Sequence, residues 1–304
     1  MPAHSKQASS RRAGGKAPFL HWMVLPTLLV LLAIIGYPVV STVYLSFFEY
    51  NLLDFTPPEY LGLDNFAQMA SDRIFWISLK NTLYYTGGTV LVSMLIGTAV
   101  ALLLENLKGP VWTAVRALVV SPWAVPFVVV AFLFRFMYMQ NGGIVNDILL
   151  DLGVIGNPVS WLNRADISLG AIIVANIWAT TPFFFLLVSS ALSGIPDAVL
   201  ESARVDRAGL WSTIFHIKLP FLRNPLVVGS LLMVISNFND FAKVWVMTQG
   251  GPGYATTTLV VYVYRMAFER FEIGYASALG LIWLLLLLLV SVFYIRLLWN
   301  RQND

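Results

Sequence analysis

Two triplets of side chains fall at i, i+4, i+7: Asn176, Thr180 and Phe183, then Met233, Asn237 and Asp240. At 3.6 residues per turn, each triplet shares one face of a helix. The segments around them are strongly apolar. An amide, hydroxyl or carboxylate in such a segment costs free energy unless it faces a cavity or another helix, and a carboxylate at a membrane-helix centre costs about 2.5–3.5 kcal/mol. Both faces should therefore look inward. From the residues alone, they either line a path for a polar solute or bridge neighbouring helices by hydrogen bonds. Lys243, three residues after Asp240, offers the carboxylate an ion pair instead. None of this is bond-breaking chemistry. Cysteine is absent, the histidines (His4, His21, His216) are scattered, and no metal-ligand constellation is expected. There is no H-E-x-x-H motif, and Gly14-Gly15-Lys16 lacks the spacing of a phosphate loop.

The elements that must hold these residues are membrane helices. Of 304 residues, 58% are apolar and 12% charged, too little polar surface to coat a water-facing globule. The apolar residues run in uncharged stretches longer than the roughly 20 residues that cross about 30 Å. Six unbroken spans are expected, at 22–47, 81–104, 112–138, 168–192, 225–248 and 273–298. The first is too long for a cleaved signal peptide, and no A-x-A site follows it. Residues 1–18, rich in Ser, Ala and Gly, are expected to be a disordered cytoplasmic leader. Residues 19–304 then form one transmembrane domain.

Basic residues set the orientation. With the N-terminus inside, twelve Lys and Arg fall on the cytoplasmic side and six outside, with Lys243 within the fifth helix. Both termini are therefore expected in the cytoplasm of a multi-pass protein. Outer loops at 48–80 and 139–167 are long enough for a receptor-docking cap but not for separate domains. Asn141-Gly142-Gly143 and Gly250-Gly251-Pro252-Gly253 are turn chemistry.

The inner loop at 193–223 holds two short amphipathic stretches, more than a connector requires. Pro196 suits the first turn of a helix, and Asp197 and Glu201 favour its positive end. Trp211, Ile214 and Phe215 mark the second stretch, which Pro220 is expected to close. Glu201-Ser202-Ala203, Asp206 and Ile217-Lys218-Leu219-Pro220 resemble, in order and spacing, the "EAA" loop of ABC importer permeases. In that family the loop seats in a cleft of the ATPase subunit. The resemblance implies coupling roles for Glu201, Ser202, Ala203, Asp206, Arg207, Leu219 and Pro220. Arg207 departs from the pattern, since the family usually has Gly there. Either the turn is built differently, using Gly209, or the Arg contacts the ATPase.

Gly62-Leu63-Asp64-Asn65-Phe66, Asn81-Thr82, Thr248-Gln249-Gly250-Gly251-Pro252 and Thr256-Thr257 resemble one branch, the carbohydrate-importer permeases of maltose type, first permease. The resemblance implies an all-α, type I importer fold. It implies a second homologous permease, two ATPase subunits that bind the ATP and Mg, and a periplasmic or lipid-anchored sugar-binding protein. No cofactor is expected in this chain, nucleic acid is not a partner, and the location implied is the bacterial inner membrane. The segments 176–183 and 236–241 are similar to those lining the sugar site. Asn176, Trp178, Thr180, Phe183, Met233, Ser236, Asn237 and Asp240 become its candidate ligands, by amide and carboxylate bonds to hydroxyls and aromatic stacking. The competing reading is a gradient-driven secondary transporter or channel, which would call for inverted repeats and interrupted helices.

Overall fold

The computed structural model describes residues 17–54 and 56–299, so the expected leader lies outside the described residues up to residue 16. Five helices are long and apolar enough to cross a membrane: span 1 (Val24–Leu45), span 2 (Arg73–Leu104), span 4 (Ser168–Ser193), span 5 (Leu210–Phe238) and span 6 (Ile273–Arg296). Span 3 is a bent pair, Pro110–Ala124 and Phe127–Met137, whose limbs meet at 101°. Counted as one crossing, it completes the six. Among the described residues, strand structure is confined to a ribbon pairing β1 (Phe48–Glu49) with β2 (Glu59–Tyr60) and an isolated bridge from Asn51 to Glu272.

Two spans expected to be continuous are interrupted. In span 3 the break follows from Val125-Pro126: proline disfavours helical geometry in the residue before it, and Val125 is extended at φ −84°, ψ 126°. In span 5 the helix stops at Phe238 and resumes as Ala242–Thr248. Here short polar side chains compete with the backbone ladder. Asn237 donates to the Met233 carbonyl at 2.7 Å and Asn239 to that of Ile235 at 2.6 Å, while Asp240 Oδ1 accepts the Lys243 amide at 3.3 Å. Asn237 thus stands in the last turn of a helix, and Asp240 lies beyond its end rather than on a continuous i+7 face.

Pro220 does not close the second stretch of the 193–223 loop. The helix runs on into span 5 through a widened turn, Ile214–Lys218, in which the Leu219 amide reaches back to the Ile214 carbonyl. An i→i+5 turn accommodates the missing proline donor without ending the helix. Span 2 also starts earlier than expected, because Asp72 caps it by accepting the Ile74 amide at 2.7 Å.

Spans 2 and 4 pack closely. A methyl added at Gly97 would lie 2.6 Å from Phe184 Cβ and 2.8 Å from the Phe185 amide, so only glycine allows this approach. Three apolar clusters then fill the bundle. One joins Tyr85, Val130, Ile172 and Val244; a second joins Phe75, Leu259, Tyr275 and Leu279; the third joins Leu104, Val188, Leu192 and Leu222. Span 1 buries no residue from Val24 to Leu45, so its apolar surface is left for lipid or another chain.

Candidate functional site

Spans 2, 4 and 5 converge on a buried, uncharged polar cluster. Asn176, fully buried on span 4, donates through Nδ2 to Asn237 Oδ1 at 2.5 Å and to Thr89 Oγ1 at 3.2 Å. Thr180, one turn on, donates to Asn176 Oδ1 at 3.3 Å. Asn237 contributes from the last turn of span 5, anchored to Met233 through that residue's carbonyl rather than its side chain. The arrangement offers carboxamide and hydroxyl groups that can exchange one partner for another, which is what a hydroxylated solute requires.

Asp240 belongs to a separate, charge-balanced network. Its carboxylate lies 2.6 Å from Lys243 Nζ and accepts the Tyr85 hydroxyl at 2.5 Å. The Lys243 ammonium also stands over the Phe127 ring, 4.2 Å from the centroid. Both broken spans and span 2 therefore meet at one ion pair. The sequence left Asp240 between a solute contact and this pairing; the geometry pairs it.

Other candidates lie apart from the amide cluster. Trp178, about 38% exposed, sits two residues from Asn176 on another face and packs edge-on against Phe134 at 5.6 Å. Phe183 is partly buried, edge-on to Phe184 at 5.4 Å and close to Gly229. Ser236 is exposed, about 100° round span 5 from the buried Asn237. Sequence reasoning missed Thr89 and Tyr85. Their signal was present as a stripe along span 2, with Ser78, Thr82, Tyr85, Thr89, Ser93 and Gly97 recurring every three or four residues, all of them buried.

The remaining motifs do structural work. Asn81 donates to the Tyr254 and Thr257 carbonyls, each at 3.0 Å, and Thr82 Oγ1 accepts the Leu259 amide at 2.8 Å. The Asn-Thr pair thus fastens the Gly-Gly-Pro segment to span 2. Asn65 similarly holds the Ser46 and Phe48 carbonyls.

In the 193–223 loop, Asp197–Val205 forms a helix that buries Ala203 and exposes Glu201 and Ser202, with the exposed Asp206 just after it. It ends in a paired C-terminal turn: the Ala208 amide bonds the Ala203 carbonyl at 2.9 Å and the Arg207 amide that of Arg204 at 3.0 Å. Such a turn needs a left-handed residue, and Arg207 takes that place at φ 53°. The alternative built on Gly209 is corrected, since Gly209 is extended at φ −69°. Leu219 is partly buried and Pro220 exposed at the start of the following helix.

Interrupted spans are present, so their expected absence does not set aside a gradient-driven transporter. The comparisons with known proteins do. The profile of the family described as binding-protein-dependent transport system inner membrane component matches residues 93–301. The chain is 34% identical, over 93% of its length and 90% of the relative's, to the sulfoquinovosyl glycerol transport system permease protein of Agrobacterium fabrum. It is 34% identical, over 90% and 91%, to the trehalose/maltose transport system permease protein of Thermococcus litoralis. Its fold matches, with a TM-score of 0.79 and 23% identity over 92% of this chain and 93% of the other, a bacterial alginate ABC transporter solved with its alginate pentasaccharide-bound periplasmic protein. The helical architecture is that of a type I importer permease, and the chain belongs to the family of binding-protein-dependent transport system inner membrane components.

Proposed function

We propose that the chain is one of two permeases in an ATP-driven importer of di- or oligosaccharides. The single observation that carries this reading is the buried amide–hydroxyl cluster of Asn176, Thr180 and Asn237, which is polar, uncharged and set among membrane helices. A sugar offers hydroxyls that can replace these mutual bonds one for one. The transport of sugar-containing solutes named for the relatives supports the same class. ATP hydrolysis is assigned to partners: the sequence has no phosphate loop, and ATP and Mg go to two separate ATPase subunits docked on the 193–223 loop. A periplasmic or lipid-anchored binding protein delivers the solute, a reading supported by the alginate transporter's complex with an alginate pentasaccharide-bound periplasmic protein. Asn176, Asn237 and Thr180 are the proposed ligands. Trp178, Phe183, Met233 and Ser236 would reach a solute only from the faces they present to a second permease, and Asp240 acts by holding the broken span.

Two experiments test this. Purification of the tagged chain should bring down an ATPase subunit and a second permease. Its cognate binding protein should be stabilised in thermal shift by members of a disaccharide and oligosaccharide panel, and by no amino acid. The reverse selectivity would sink the substrate class. Orientation is tested in the cysteine-free chain. Leu152→Cys, on an outer loop and about 70% exposed, should react with an impermeant maleimide in intact cells, and the exposed Ser212→Cys should not. Labelling at Ser212 would invert the topology.

A further inference from the structure

Lys218 lies in the widened turn that joins the inner loop to span 5, and its ammonium pairs with the Glu105 carboxylate at the end of span 2. The side chains are 9% and 18% exposed and stand 113 residues apart in the chain. The turn that carries Glu105 is itself fixed, because Arg116 of span 3 donates to the Leu104 and Leu107 carbonyls at 2.5 and 2.8 Å. Beneath the pair, Ala101, Leu104, Phe185, Val188, Leu192 and Leu222 form a closed apolar cluster. Beside it lies a cavity of about 260 Å³ bounded by Leu104, Glu105, Arg116, Ser189 and Ser193.

The rest of the inner loop is loosely held. Glu201, Ser202, Val205, Asp206, Leu210 and Trp211 are exposed, and between Asp197 and Lys218 the buried residues are Ala203 and Lys218. A push on the loop reaches span 5 directly, through helix continuity. Span 2 has no such continuity with the loop, and Lys218–Glu105 is the charged tie between them among the described residues. A largely buried ion pair suits this task, because separating it leaves two charges with little compensation from solvent. It therefore resists partial opening, and the joined elements move together.

We propose that Glu105 and Lys218 form a latch that makes span 2 follow the inner loop when the ATPase subunits close. Both are positioning residues, touching neither nucleotide nor solute. The inference rests on the reading of the 193–223 loop as the ATPase dock.

The chain has no cysteine, so spin labels can be placed through Leu103→Cys on span 2 and Ser212→Cys in the loop. Their separation is read by pulsed electron resonance in the assembled transporter in nanodiscs, without nucleotide and after trapping with ATP and vanadate. The latch predicts one unchanged distance in both states for the parent. The neutral pair Glu105→Gln with Lys218→Met, which strands no charge, should lose this constancy on trapping. It should also lose the stimulation of ATP hydrolysis by the binding protein while still retaining the ATPase. The exchanged pair Glu105→Lys with Lys218→Glu should regain both. A neutral pair that keeps the parental distance and stimulation overturns the latch, and so does an exchanged pair that regains neither. A parent that retains no ATPase subunit overturns the docking reading and the latch with it, a result distinct from the other two.

Discussion

Lys243 Nζ sits 2.6 Å from the Asp240 carboxylate, and both side chains are more than nine-tenths buried. The pair is three residues long in sequence but spans the interruption of span 5, with the Tyr85 hydroxyl from span 2 on the same oxygen. Removing one partner leaves the other as a buried, uncompensated charge. Asp240→Asn should therefore destabilise the protein by about 3–5 kcal/mol. Lys243→Met added to it should recover most of the loss. Thermal melts in detergent and membrane yield decide this. A stable Asp240→Asn variant whose solute affinity falls would instead return Asp240 to the solute site.

Arg207 holds a left-handed conformation that its Cβ disfavours by about 1–2 kcal/mol. Arg207→Gly should raise stability by about 1 kcal/mol, less the extra chain entropy that glycine loses on folding. If the guanidinium also contacts the ATPase, the same variant should bind that subunit more weakly despite its greater stability. Melting temperature and ATPase retention, measured together, separate the two effects. Unchanged stability would mean that the turn relaxes around arginine without strain.

Asp72 caps span 2 and gathers the Tyr262 and Tyr275 hydroxyls, the latter at 2.8 Å. Burial pushes its carboxyl up. The two phenols and the Ile74 and Phe75 amides outweigh that and hold it below the ordinary value of 3.8. A depressed carboxylate contributes stability that is complete above its unfolded value and is lost as pH falls through the folded one. Asp72→Asn should thus cost about 1 kcal/mol at neutral pH, the gap narrowing below pH 3.8. Melts from pH 7 to pH 3 test the sign. A gap that widens in acid would refute it.

How much of this was legible depends on the range of the interaction. Five long helices and the bent pair follow in place from uncharged length, and the 193–223 loop from motif spacing, because both are local properties. The bends were harder to see. Val125-Pro126 is a local break signal, but it is submerged in a long apolar run. At Asn237–Asp240 the chain chooses side-chain bonds over the backbone ladder, a choice that hydropathy does not register. The fate of Asp240 was only half legible: the i, i+3 spacing offered Lys243 as its partner, but Tyr85 stands 155 residues away and Phe127 approaches from a limb whose position the bend creates. Likewise, Trp178 was grouped with Asn176 through segment resemblance, although a two-residue offset turns it to another face.

The amide cluster gives the most direct test of the solute path. Asn176 Nδ2 is shared between Asn237 and Thr89, so losing Asn237 still leaves it one partner, and the cost in folding should be small. A solute bound there would lose one amide contact. That is worth about 1 kcal/mol, or roughly five-fold in affinity. Asn237→Ala should therefore raise the KM for uptake about that much while expression and ATPase retention stay at parental levels. Asn176→Ala removes the hub of the cluster and frees both Thr180 and Asn237, so its effect on KM should be larger. If the amides only bridge helices, the order of failure reverses: yield and melting temperature fall first, and KM in the surviving protein stays parental. Uptake by all three of Asn237→Ala, Asn176→Ala and Thr180→Val with unchanged KM would place the solute path elsewhere, along the exposed face of span 5 that carries Ser236.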